Sequence, residues 1–237
     1  MLARPAVVLA PLLLGAELQT GRGARAVRLR ITEVEAYEGA ADPGSHGYRG
    51  RTERNRSLFG PPGTLYVYLS YGMHFCANLV CGDDGAASAV LLRGGEVLDG
   101  IRAARRRRGG VAEGPGLANG PAKLAQALGL DLAWDGAPVD LARPEPAADP
   151  GREAGRRSLR PGPAESGRRL LLSGVADAPP DRLRTGPRVG VSGAGGTDAY
   201  PWRFWLDGEP TVSRYRAAKA SRGAAGTVGG RATGPIE

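Results

Sequence analysis

Apolar and polar positions alternate most clearly in LYVYLSYGMHFCANLV, residues 65–80. The stretch reads as a strand, a bend at Tyr71-Gly72-Met73, and a second strand. Tyr66 and Tyr68 lie on the first strand, and a third tyrosine sits at the bend. An aromatic there needs a reason, because a turn residue is rarely buried. Residues 26–38, AVRLRITEVEAYE, also alternate. Val27, Leu29 and Ile31 share one face, and period two carries that face on to Glu33, Glu35 and Tyr37. A face that begins apolar and turns acidic predicts a strand leaving the core for a cleft. Between the two stretches runs a long Gly-, Pro- and Arg-rich segment, 39–63. Loops of that length inside a compact domain are functional or disordered.

Further along, SAVLLRGGEV predicts an apolar strand ending at Arg93. Val97, Leu98, Ile101 and Ala104 predict an amphipathic helix over 96–108, finishing in Arg105–Arg108. A basic last turn suits the helix dipole. GPGLANGPAKLAQALGL predicts a loop and then a helix, with Pro121 near its start, Gly129 after its end, and Leu124 and Leu128 toward the core. At the amino end, MLARPAVVLAPLLLGAEL predicts a short buried helix rather than a signal peptide, since Pro5 and Pro11 interrupt its apolar run. GPRVGVS at 186–192 and PWRFWLDG at 201–208 are the last strand-like pieces. Residues 143–168 read as a surface excursion, and 217–237 as a loose tail beyond a single domain spanning 1–216.

Composition adds a charge argument. Of 237 residues, 41% are hydrophobic and 24% charged, yet the net charge is +8. Lys123 and Lys219 are the only lysines, so arginine supplies nearly all of the positive charge. Guanidinium groups bind phosphates bidentately and stack on bases, which points to nucleic acid ahead of membrane. The plainer alternative is a GC-rich coding bias with a solvated basic surface. No apolar run approaches the ~18–20 residues of a membrane span, so a cytoplasmic location is expected. Cys76 and Cys81 fall on opposite faces of one strand, which disfavours a mutual disulfide. His46 and His74 are the only histidines, too few for a structural zinc site.

The candidate chemistry centres on EVEAY, 33–37. In a strand Glu33, Glu35 and Tyr37 share a face, with alternate residues roughly 6.5–7 Å apart. Two carboxylates at about 6.5–9.5 Å match an inverting glycosidase pair, but a solvated strand edge is the plainer explanation of an isolated E-x-E. No G-x-S-x-G and no G-x-x-x-x-G-K-[ST] occurs. There remain a carboxylate, a loop bearing His46, and a hairpin bearing Tyr68 and Tyr71. Tyr37 and Tyr68 suit the walls of a slot for a flat ligand, and Tyr71 suits a wedge entering a base stack.

Taken together, TEVEAY, DPGSHGYRGRTERNRSLFGPPGTLYVYLSYGMHFCANLV, LLR at 91–93, GPAKLAQALG and GPRVGVS followed by PWRFWL resemble the alkyladenine (3-methyladenine) DNA glycosylase family in its bacterial form, over about residues 5–216. The resemblance implies an α+β fold: a single mixed domain with a curved antiparallel sheet flanked by helices and a protruding, DNA-intercalating hairpin. It implies a monofunctional enzyme of base excision repair that flips alkylated or deaminated purines out of duplex DNA and hydrolyses the N-glycosidic bond. Glu35 is then the base that activates water, with Arg93 and the Val189 carbonyl holding that water. Tyr37, His46, Tyr68 and Asn78 line the base pocket, and Tyr71 intercalates. Charge and position suggest Arg49, Arg51, Arg54 and Arg56 as phosphate contacts. Glu53 stands where many relatives carry proline, placing a negative charge among them. Neither metal nor organic cofactor is implied. The expected partner is double-stranded DNA containing damaged purines, bound by a nucleoid-associated bacterial monomer. A damaged-DNA binding protein without catalysis is the alternative, and a carbohydrate glycosidase using Glu33 and Glu35 a more distant one.

Overall fold

The computed structural model describes residues 1–110, 112–142 and 168–218. Nearly all of the excursion expected at 143–168, and the tail beyond 218 with Lys219, lie outside the described residues. The fold is α+β, and the described residues form a nine-stranded mixed sheet with α-helices on its apolar face.

The chain enters through helix α1 (Ala6–Leu12), followed by strand β1 (Glu17–Thr20) and the long strand β2 (Val27–Glu38). After the 39–63 segment come β3 (Leu65–Ser70), β4 (His74–Cys81) and β5 (Ser88–Asp99). Helices α2 (Ile101–Arg107) and α3 (Pro121–Leu128) precede the short strands β6 (Val139–Leu141), β7 (Leu170–Ser173), β8 (Leu183–Gly186) and β9 (Arg203–Leu206). Strand order is β3-β4-β5-β2-β1-β7-β6, antiparallel except for β6 with β7. The first half of β2 pairs with β1, and Glu33–Glu35 pair instead with β9, on which β8 lies.

The sheet's two faces differ in kind. On one, Leu65 and Val67 of β3, Ala77, Leu79 and Cys81 of β4, and Val90 and Leu92 of β5 join Leu9 of α1 and Leu124 and Leu128 of α3 in the main core. The intervening residues, Tyr66 and Tyr68, Cys76 and Asn78, Leu91 and Arg93, therefore face the other way. A smaller apolar cluster of Leu58, Tyr66, Val80, Ala87 and Ala89 supports that second face.

Strand β2 departs from simple alternation. Val27, Leu29 and Ile31 are core residues as expected, but the next ones are Val34 and Ala36. Pairing shifts between Ile31 and Glu33 and again between Glu33 and Val34, so Thr32 on β2 and Arg93 on β5 are each an extra residue. Such bulges invert the parity of a strand. Glu33, Glu35 and Tyr37 thus lie on the face opposite Val27, Leu29 and Ile31, correcting the single-face reading. Both glutamates have no exposed surface, which removes the solvated-edge explanation.

Other boundaries shift as well. Strand β5 continues through Gly94-Gly95 to Asp99 rather than ending at Arg93, so 96–99 is strand and α2 begins only at Ile101. Gly100 permits that start: its φ is 76°, and a Cβ there would strike the Ala26 backbone. The buried residues of α2 are Ala103 and Ala104, whereas Ile101 is exposed. Residues 187–192 of GPRVGVS form no strand; the strand is β8, which ends at Gly186. Helix α3 matches its expected bounds, with Gly129 left-handed at its end.

Candidate active site

Cross-strand register assembles the site. Reading across the sheet, Tyr66 pairs with Asn78, Asn78 with Leu91, Leu91 with Glu35, and Glu35 with Arg203. Period two keeps all of these on the face away from the main core, and a one-residue slip in any strand would remove its member.

At the centre is Glu35, fully buried. Its Oε1 accepts a hydrogen bond from the Val189 amide at 2.7 Å. Its Oε2 accepts from the Tyr37 hydroxyl at 2.9 Å and from Arg93 Nη1 at 3.3 Å. Each carboxylate oxygen has two lone pairs, so Oε2 is filled while Oε1 keeps one. Burial, and then the Glu35 charge, raise the Tyr37 pKa well above the usual tyrosine value, so Tyr37 remains a donor. Arg93 is buried too, and although burial opposes its charge, Glu35 and Glu33 hold it firmly protonated.

Glu33 has a different environment from Glu35. It accepts from Arg93 Nε at 3.0 Å, Arg203 Nε at 2.7 Å, Ser213 Oγ at 2.9 Å and the Ser213 amide at 2.7 Å. Two of those donors are guanidinium groups, so Glu33 serves as an anchor for Arg93 and Arg203, and the paired-carboxylate glycosidase reading loses support. Arg93 also donates from Nη2 to Ser213 Oγ at 3.2 Å. Glu33, Arg203 and Ser213 together fix the guanidinium that reaches Glu35.

Around this centre the neighbours grade outward: Asn78 is buried, Tyr37 and Tyr68 half-buried, and His46 and Arg54 exposed. Asn78 Nδ2 donates to the Tyr66 carbonyl at 3.1 Å. His46 Nδ1 lies 3.0 Å from the Tyr66 hydroxyl, and its ring meets Tyr68 edge-on at 4.6 Å. Although the residue as a whole is exposed, the partial burial of its ring against Tyr66 and Tyr68, and then the charge of Arg54, lower the His46 pKa. Burial raises Tyr66 to about 12 and Tyr68 further. The 39–63 segment that carries His46 is held by Asn55, whose side chain donates to the carbonyls of His46 and Gly50 at 2.9 and 3.1 Å. Thr52 and Asn55 form a capping box over the 3-10 turn Glu53–Phe59.

The hairpin tip stands apart from this cluster. Tyr71 is 87% exposed with φ 49°, and Gly72 follows with φ 70°. Positive φ at both central residues matches the strand twist of a tight hairpin, where Asn, Asp or Gly is usual. Arg49, Arg51, Arg54 and Arg56 are exposed on the neighbouring loop, and Arg54 Nη2 donates to the Leu69 carbonyl at 3.2 Å. Glu53 sits 3.8 Å from Arg56.

Two further residues were not picked out by sequence reasoning. Arg188, fully buried, bonds Asp42 through Nη1 and Nη2 at 2.5 and 2.6 Å, although 146 positions separate them. Asp42-Pro43 carries a turn signal, and Asp42 does accept from the Gly44 amide at 2.8 Å. Arg188 lies inside the GPRVGVS motif, but nothing in its spacing names a partner. Among the described residues, no group of three or more His, Cys, Asp or Glu is placed to hold a metal ion, and no helix is long and apolar enough to cross a membrane. Cys76 and Cys81 are both free and buried.

Comparison with known proteins gives a consistent result. Residues 1–210 match the family model for methylpurine-DNA glycosylase (MPG). A Streptomyces avermitilis protein named "Putative 3-methyladenine DNA glycosylase" is 51% identical over 215 residues, covering 91% of this chain and 89% of its own. Proteins of the same name from Leifsonia xyli and Cutibacterium acnes are each 48% identical, over 90% and 91% of this chain and 90% and 98% of theirs.

Proposed function

The chain belongs to the methylpurine-DNA glycosylase family and is a DNA glycosylase, a base-excision-repair hydrolase; on that premise we propose that it acts on duplex DNA by everting a damaged purine and hydrolysing its N-glycosidic bond with a water activated by Glu35. The observation that carries this reading is the unequal loading of the two glutamates. Glu33 accepts four hydrogen bonds, two of them from arginines, whereas Glu35 accepts three, one of them from Tyr37, and its Oε1 takes only the Val189 amide.

In this mechanism Oε1 takes a proton from water as the water oxygen bonds to C1′. The C1′–N bond breaks, and its electron pair leaves with the base. A cationic alkylpurine departs neutral and needs little acid help. Arg93 and Tyr37 aim Glu35, and the Val189 main chain orients the nucleophile. Tyr37, Tyr68 and His46 wall the slot for the everted base, where a cationic purine gains roughly 0.5–2 kcal/mol from the aromatic faces. Asn78 at the floor disfavours the exocyclic amine of normal guanine. Eversion costs a few kcal/mol, least for a damaged or mispaired base. Tyr71 fills the vacated place in the stack, and Arg49, Arg51, Arg54 and Arg56 hold phosphates. No amine nucleophile takes part, so the strand stays uncut. Residues 1–216 act as one unit, as a monomer.

The direct test is product analysis on duplexes carrying 3-methyladenine, 7-methylguanine, hypoxanthine or ethenoadenine. Free base should be released while the strand stays intact until treated with alkali. Retarded DNA with no free base from any of the four substrates would replace catalysis by damage binding alone.

A further inference from the structure

Arg188 and Asp42 form a buried ion pair at a telling position. All five guanidinium N–H groups are used: Nε and Nη2 on the Gly195 carbonyl at 3.1 and 2.7 Å, Nη1 on the Ala36 carbonyl at 2.9 Å, and Nη1 and Nη2 on the Asp42 carboxylate. Asp42 in turn accepts from the amides of Gly44 and Glu38 at 2.8 and 3.2 Å. Gly44 and Gly195 leave room for the group, since a Cβ at either would collide with Arg188 Nη2. Stability alone does not account for this arrangement, because an apolar pair of similar volume is often as stable as a buried ion pair.

Its location suggests why it is there. Arg188 Cζ lies 4.5 Å from the Tyr37 ring centroid, and Tyr37 donates its hydroxyl to Glu35. The next residue, Val189, supplies the other neutral donor to Glu35. Arg188 therefore lies against one donor and next in the chain to the other. It also places a positive charge behind the aromatic ring that, in the function proposed above, receives the damaged base. An unpaired cation there would repel a cationic purine on the ring's other face, and the bidentate carboxylate cancels that charge.

We propose that Asp42 is a specificity-determining residue of this enzyme, which preserves activity on cationic alkylpurines by neutralising Arg188 behind the Tyr37 ring. This rests on the glycosylase reading, and two single substitutions with opposite consequences test it. Asp42→Asn leaves the arginine uncompensated and lowers kcat/KM for 7-methylguanine relative to neutral hypoxanthine. A base stacked on the ring would stand about 8 Å from the guanidinium, and at an effective dielectric near 20 the ratio falls roughly tenfold or more. Arg188→Met leaves Asp42 unpaired and moves the same ratio the other way. The double variant returns it toward the wild-type value, even where both absolute rates have dropped. Mere loss of structure lowers both substrates together and cannot reverse sign between two variants. The inference is overturned if either variant that keeps a cooperative thermal transition leaves the ratio within about twofold of wild type, or if both move it in one direction. Wild-type protein that releases none of the four bases named above would instead refute the glycosylase reading itself.

Discussion

Replacing Glu33 by Gln tests the supporting architecture without touching the carboxylate assigned to catalysis. Glu33 is fully buried and faces two arginines, Arg93 and Arg203, each 5% exposed. With Glu35 these four groups sum to zero charge, and Gln leaves the cluster at +1. The amide oxygen can serve only part of the donor set, and its NH2 points at donors. Removing one member of a buried pair costs about 3–5 kcal/mol, a large share of the roughly 5–15 kcal/mol that stabilises a domain. For a chain of this size each kcal/mol moves Tm by about 2–4 °C, so the variant should melt roughly 6–20 °C lower. Adding Arg203→Gln restores neutrality, and the double variant should recover about 1–3 kcal/mol relative to additivity. Calorimetry and urea titration on all four proteins measure this. A single-variant loss under about 0.5 kcal/mol, the range of ordinary surface substitutions, would show that Glu33 is not the anchor its contacts describe.

The remaining predictions concern the rim. Tyr71→Gly should keep or raise stability by about 1 kcal/mol, since glycine relieves the left-handed backbone, while lesion affinity falls by the ~1–3 kcal/mol of a lost stacking contact; unchanged affinity in gel shift would discard the wedge. His46 should titrate below the ordinary value of about 6.5, and Arg54→Gln should move it upward, as followed by NMR. Because the unfolded chain then binds the proton more readily, stability should rise with pH across the window from the depressed folded value up to about 6.5. A titration at or above 6.5 in wild type would contradict the burial and charge that surround the ring.

Local chemistry made some of this legible in the chain. The hairpin followed from strict alternation broken at Tyr71-Gly72, and α3 from Pro121 and Gly129 at its ends. Period two also sets Tyr66 and Tyr68 on one face, and the hairpin register then brings Asn78 to it. It fails on β2, because the extra residue Thr32 has no signature of its own and reverses every side chain beyond it. The run through Gly94-Gly95 likewise looked like a strand end, when the glycines lie close against β2, with Cβ positions blocked by Leu29, Arg30 and Glu33. Strands β1, β6 and β7 are three or four residues long, too short to carry a pattern. The contacts between Arg188 and Asp42, and between Glu33 and Ser213, are set by tertiary packing across 146 and 180 positions, which no local rule reads.

The claim that Glu35 Oε1 is the base receives its most direct test from Glu35→Gln, assayed in parallel for excision and for binding to a hypoxanthine duplex. Glutamine keeps the size and the acceptor facing Val189 but cannot take a proton, so single-turnover excision should fall by at least ~10²-fold with lesion affinity within a few-fold of wild type. Excision at the wild-type rate would show that another group activates the water.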